Sequence, residues 1–238
     1  MSNVHRSRRV ILVLAIAVIP VLILVWQIFS RPQVSDENIL HSSTVIEESS
    51  EPLAITELDK LPIKDRATKA GYKRDNFGNG WAKWSKCDTR QRILARDLVD
   101  IVYDENGCTV LSGTLHDPYT GEIIDFVRGV STSNAVQIDH VVALSNAWQT
   151  GAQNLDRDTR IALANDDLEL LAVQGKANQQ KSDSDAAAWL PSNIAFRCQY
   201  VARQIAVKIK YALWVTQNEY DAIKNVLNTC PDQRLPAP

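Results

Sequence analysis

The longest apolar run in the chain lies near its start. Residues Val10 to Phe29 are almost wholly hydrophobic, broken only by Pro20 and Gln27, and Arg6, Arg8 and Arg9 precede them. A helix rising ~1.5 Å per residue over that run reaches roughly 30 Å, the thickness of a bilayer core. The pattern predicts a membrane anchor over 10–29, with the basic residues of 1–9 in the cytoplasm and the rest of the chain outside. A cleaved signal peptide is the alternative. The anchor is favoured because the run exceeds a usual signal core and no small-x-small site follows it at Ile28-Phe29-Ser30-Arg31-Pro32. From Ser30 to Lys64 the chain turns polar and acidic, punctuated by Pro32, Ser42-Ser43, Ser49-Ser50 and Pro52. That composition predicts a flexible linker over 30–64 and a folded domain over 65–238.

Within the domain the hydrophobic periods change repeatedly. Arg90 to Val102 reads as a helix behind the cap-like Cys87-Asp88-Thr89. Cys108 to Leu115 and Ile123 to Val130 read as strands of a hairpin around Asp117-Pro118-Tyr119-Thr120-Gly121. Val136 to Val142 predicts a strand, Ala143 to Gly151 a short helix, Leu168 to Val173 a second strand and Lys176 to Trp189 a helix. Val201, Ile205, Ile209 and Leu213 recur every four positions, the buried stripe of a C-terminal helix. The fold class expected is α+β.

Charge narrows the function. From Arg66 onward, Lys and Arg balance Asp and Glu at 20 each, so the domain lacks the basic footprint of a tight DNA-binding module. An enzyme that grips a few phosphates locally is still compatible. One basic run, Arg197, Arg203, Lys208 and Lys210, is either a solvated helix face or a phosphate-binding one. The four cysteines all follow the apolar segment, and none forms a C-x-x-C pair, which disfavours zinc and redox motifs. Of the three possible pairings, Cys87–Cys108 and Cys198–Cys230 are favoured, since each closes a local loop. Such bridges suit an oxidising compartment.

The candidate chemistry sits in Val136-Gln137-Ile138-Asp139-His140-Val141-Val142 and in Gly175-Lys176-Ala177-Asn178-Gln179-Gln180-Lys181. A strand sends Asp139 and His140 to opposite faces, so both serve one centre only if the chain bends there. An acid–histidine pair on one strand, a second strand, and a helix opening on Asn and Lys resemble the HNH endonucleases, also called ββα-metal nucleases. Further segments extend the likeness: Cys-Asp-Thr-Arg at 87–90, Asp-Pro-Tyr-Thr-Gly at 117–121, Ile-Asp-His-Val-Val at 138–142, Ala-Asn-Asp-Asp-Leu at 164–168, Ala-Asn-Gln-Gln-Lys-Ser-Asp at 177–183, Ala-Trp-Leu-Pro at 188–191 and Arg-Cys-Gln-Tyr-Val at 197–201. As an ordered set they resemble exported HNH-family proteins related to the C-terminal domain of GmrSD-type restriction endonucleases.

The resemblance implies a ββα-metal core with added helices and a β-hairpin, and metal-dependent hydrolysis of nucleic acid, DNA rather than RNA, with weak sequence preference. It implies His140 as general base, Asp139 and Asn178 as ligands of a divalent metal such as Mg²⁺, and Lys181 as a contact to a phosphate oxygen. Asn165 and Asp167 compete for the middle position of the motif, where an Asn usually braces the loop. Arg90 and Arg160 are candidate phosphate clamps, and the sequence shows no obligate protein partner. The rival readings are a catalytically silent extracellular binding module and a metallophosphoesterase acting on a non-nucleic substrate. No G-x-S-x-G elbow is present, which disfavours a serine hydrolase.

Overall fold

In the computed structural model the described residues are 51–130 and 132–237. The expected anchor over 10–29 and most of the expected linker lie outside them. Among the described residues no helix is long and apolar enough to cross a membrane. The fold is mixed, with three small sheets and several helices.

The domain begins earlier than its composition suggested. Ala54–Leu58 forms helix α1, and Ala54, Leu58 and Leu61 are buried although acids surround them in sequence. The amide of Ala54 donates to the carbonyl of Gln233, Leu53 bridges Arg234, and Ile63 bridges Val215. The last third of the acidic stretch is therefore a strap over the C-terminal helices α6 (Arg197–Lys210) and α7 (Gln217–Leu227). A few apolar residues at helical spacing outweighed the acidic average.

A short ribbon, β1 (Lys83–Trp84) with β2 (Cys87–Asp88), leads into helix α2 (Thr89–Asp97). The Asp88 side chain caps α2 by accepting from the amide of Gln91 at 2.9 Å. The helix stops at Asp97, short of the expected Val102, because Val99, Ile101 and Val102 are β-branched and favour the strand β3 (Leu98–Tyr103). Strand β3 pairs with β4 (Val110–His116), and β4 pairs with β5 (Ile123–Val127), in an antiparallel meander. Disulfides join Cys87 to Cys108 and Cys198 to Cys230, the two pairings favoured from the sequence.

The third sheet positions the site. Strand β6 (Val136–His140) pairs antiparallel with β7 (Leu170–Gln174), and β7 runs directly into helix α5 (Gly175–Lys181). Between the two strands lie the short helices α3 (Leu144–Gln149) and α4 (Arg157–Ala164). One face of the pair, Val136, Ile138, Leu170 and Ala172, packs on α2 and the meander; Leu171 and Val173 on the other join the helical core. The start of α5 must be glycine, since a Cβ on Gly175 would lie 2.0 Å from the carbonyl oxygen of Asn134. Helix α5 ends at Lys181 rather than at Trp189. Ser182 takes φ 50°, and the Asp185 carboxylate accepts from the amides of Ala187 and Ala188, a local turn that competes with continued helix.

Because Leu58 is wholly buried, Leu58→Ala should lower unfolding stability by about 2–5 kcal/mol in urea titrations. A change of a few tenths would show that the strap is not part of the cooperative domain.

Candidate active site

At the end of β6, alternation sends neighbouring side chains opposite ways. Asp139 lies opposite Leu171 and faces the helical core, while His140 shares the face of Ile138. The strand terminates there, so both residues still line one cavity of about 320 Å³, together with Arg74, Gln137, Asn178, Gln179 and Ser182. A smaller cavity of about 140 Å³ adjoins it, sharing Arg74, His140 and Leu144 and walled by Phe77, Trp81 and Ala164.

The His140 ring is fixed on two sides. Its Nε2 lies 3.0 Å from the carbonyl of Ala164, which can only accept, so Nε2 carries the proton and Nδ1 keeps its lone pair. The indole of Trp81 stacks on the ring, with centroids 5.7 Å apart and planes within 9°. Burial lowers the His140 pKa to about 3, the Arg74 and Lys181 cations push the same way, and the Ala164 carbonyl opposes them. The imidazole is thus neutral and oriented, with its lone pair at Nδ1 and its basicity reduced by burial.

Asn165 holds this arrangement from behind. Its Oδ1 accepts from the amide of Ala82 at 2.9 Å, beside Trp81, and its Nδ2 donates to the carbonyl of Ile161 at 2.9 Å. It directly follows the carbonyl that fixes His140. Asp167, its competitor for the middle position of the motif, is exposed and pairs with Arg92 at 2.5 Å.

Asp139 has 5% of its surface exposed and takes the hydroxyl of Tyr119 and the ammonium of Lys181, which lies 3.0 Å from its Oδ1. Burial pushes the Asp139 carboxyl up, while Lys181 and Tyr119 pull it back. Lys181 is completely buried and also donates to the His140 carbonyl at 2.7 Å. It does not line either cavity, so its position differs from that expected of a phosphate contact. Nearby, burial raises the Glu169 pKa well above the carboxylate range; its Oε2 accepts from the amide of Val142, and Oε1 has no partner.

Asn178 donates its Nδ2 to Gln137 at 3.0 Å, which turns its Oδ1 free of hydrogen bonds within the cavity wall. A carboxylate and an amide oxygen are ligands of the kind a hard cation takes. Both Asp139 oxygens are engaged, however, Oδ2 by the Tyr119 hydroxyl and both by the Lys181 ammonium at 3.0 Å, which leaves the Asn178 Oδ1 as the open donor of the pair. Among the described residues there is no group of three or more His, Cys, Asp or Glu that could hold a metal alone. The donor set fits a loosely held Mg²⁺ only with Asp139 turned from Tyr119 or Lys181, and it does not fit zinc.

The other predicted cations are elsewhere. Arg90 donates to the carbonyl of Val136 and lines a separate cleft with Arg128. Arg160 donates to the carbonyls of Asn76 and Leu155 and lies over the Trp148 ring. The basic run on α6 is consumed internally: Arg203 donates to the carbonyls of Asp167 and Leu168, Lys208 pairs with Glu219 at 3.0 Å, and Lys210 pairs with Asp166 at 2.6 Å. Sequence reasoning missed Arg74, Trp81 and Tyr119. Only Tyr119 left a signal, as a large aromatic inside an otherwise polar turn.

The family described as GmrSD restriction endonucleases, C-terminal domain, matches residues 88–226. The chain belongs to this family. It is also 35% identical over 175 residues to an "Uncharacterized secreted protein" of Arthroderma benhamiae, a match covering 73% of this chain and 82% of that protein. No solved structure matches the chain. The two disulfides fit an oxidising compartment, in keeping with the secreted relative.

Two outcomes follow from the buried charges. Lys181→Met leaves Asp139 buried without its cation and should cost about 3–5 kcal/mol, read as a lowered urea midpoint; wild-type stability would contradict the buried pair. Below its ordinary pKa of 6.5, His140 takes up a proton in the unfolded chain but not in the folded one. Stability is therefore complete above that pH and falls towards pH 3 by up to about 1.4 kcal/mol per pH unit. Urea midpoints followed from about pH 7 to about pH 4 should drop more steeply for the wild type than for His140→Gln. Equal slopes would mean that His140 titrates normally.

Proposed function

We propose that this protein is an HNH-type, metal-dependent endonuclease that hydrolyses phosphodiester bonds of nucleic acid outside the cytoplasm, DNA in preference to RNA. The observation that carries the reading is the His140 imidazole. Its Nε2 is committed to the Ala164 carbonyl, which leaves the lone pair on Nδ1, and His140 lines a cavity with Asp139 and Asn178. The β6–β7–α5 unit is then the ββα-metal core, and the family match supports a nuclease. Export is supported by the disulfides and the secreted relative, with the apolar segment 10–29 proposed as the anchor.

In this reading a water molecule in the cavity gives its proton to His140 Nδ1 as its oxygen forms a bond to phosphorus. The opposite P–O bond breaks, and the departing oxygen takes a proton from solvent. Asn178, with Asp139 turned from Tyr119 or Lys181, would hold a Mg²⁺ ion, whose chemistry is Lewis-acid polarisation of the phosphoryl group. Trp81 and the Ala164 carbonyl keep the imidazole aimed, and Asn165 keeps both in place. Lys181 acts as a positioning residue: it fixes the carbonyl of His140 and lies 3.0 Å from both oxygens of the Asp139 carboxylate, leaving substrate to other cations.

Plasmid nicking should require a divalent ion and stop with EDTA. His140→Ala should cut the rate by a factor of about 10² to 10⁴ while calorimetric metal binding stays intact. Asp139→Ala should weaken metal binding and rate together, and Asn178→Ala should do so more mildly. Near wild-type nicking by His140→Ala would end the proposed mechanism. A metal-dependent phosphatase activity without any nicking would favour the non-nucleic substrate instead.

A further inference from the structure

Arg74 differs from every cation singled out by the sequence. It is exposed, makes no ion pair or hydrogen bond among the described residues, and lines both cavities at His140. Its backbone is not loose. It opens the 3-10 turn Arg74–Phe77, which Phe77, 2% exposed, pins into the core, and Arg160 Nε donates to the carbonyl of Asn76 in the same turn at 3.0 Å. A guanidinium is thus held at the seam between a polar cavity, with Asp139 and Asn178, and an aromatic one, with Phe77 and Trp81. Among the described residues no carboxylate forms an ion pair with it. The planar donor fork of arginine matches the oxygens of a phosphodiester. Because Arg74 and His140 line the same two cavities, an anion held by Arg74 there lies beside the imidazole.

We infer that Arg74 is the substrate-phosphate contact of this site, gripping the phosphodiester where the nucleic-acid strand passes from the aromatic cavity to the polar one. The inference rests on the nuclease reading and supplies the cation that Lys181, Arg90 and Arg160 do not. Its ligand class is the phosphodiester of a nucleic-acid strand, with the adjoining nucleoside beside the partly exposed Trp81, where base–aromatic contact tolerates any sequence.

The test uses the purified wild-type chain, Arg74→Ala and Arg74→Lys. Anisotropy of a short fluorescein-labelled oligothymidylate is followed in EDTA across a range of salt, beside nicking rates with Mg²⁺. Loss of one phosphate contact should flatten the slope of log Kd against log salt by about 0.7 in Arg74→Ala. Affinity at low salt should fall about tenfold, the size of one lost charge-assisted hydrogen bond. KM should rise, and the thermal midpoint should match the wild type because the side chain touches nothing structural. Arg74→Lys should recover the slope but only part of the affinity. A wild-type protein that nicks DNA, paired with an Arg74→Ala variant of unchanged slope and KM, overturns the assignment of Arg74 alone. A wild-type protein that neither binds the oligonucleotide nor nicks DNA overturns the nuclease reading together with it.

Discussion

The ammonium of Lys181 is enclosed by protein on every side and touches two things, the carboxylate of Asp139 and the carbonyl of His140. It comes from the last turn of α5, whereas both partners belong to the end of β6. One side chain therefore ties the helix to the strand at the point where Asp139 and His140 sit. A lone buried charge costs several kcal/mol, so strand and helix keep this spacing or the fold loses the pair. The opposite end of α5 is equally constrained, since Gly175 touches the Asn134 carbonyl so closely that no side chain fits. The helix is located at both ends, and Asn178 between them inherits the precision.

On the other face of the same strand a second set of contacts does for His140 what Lys181 does for Asp139. The Ala164 carbonyl fixes the tautomer, Trp81 covers the ring, and Asn165 joins the segments that carry both. The Trp81 segment continues into the β1–β2 ribbon, and Cys87 of that ribbon is bonded to Cys108 in the turn between β3 and β4 of the meander. The sheet thus separates two polar environments. An ionic one lies inside the helical core and a neutral one lies beside the meander, and they meet only where β6 ends.

How much of this could be read from residues alone depended on whether the signal was local. The strands β4, β5, β6 and β7 announced themselves by period, and the Asp-His and Asn-x-x-Lys spacings marked both ends of the site. Strand β3 was hidden because Leu98 to Val102 continues a helical pattern and only its β-branched residues argue otherwise. Helix α1 was hidden because three buried apolar residues were averaged into an acidic stretch. At the site, a lysine one turn from an asparagine looked like a substrate contact; only the burial of its ammonium shows it to be structural. Arg74 and Trp81 lie more than fifty residues upstream of His140 in a segment without periodicity. Their proximity is a property of the fold and leaves no trace in spacing.

The internal use of Arg203, Lys208 and Lys210 has a consequence for how such a domain meets a polymer. Lys208 and Lys210 pair with carboxylates of the same chain and Arg203 donates to its carbonyls, so helix α6 offers little unpaired charge along which a long polyanion could slide. On the nuclease reading, encounters with nucleic acid are short and independent, and the enzyme works distributively. Many molecules would each nick and leave, a habit suited to digesting dispersed extracellular strands and poorly suited to travelling along one.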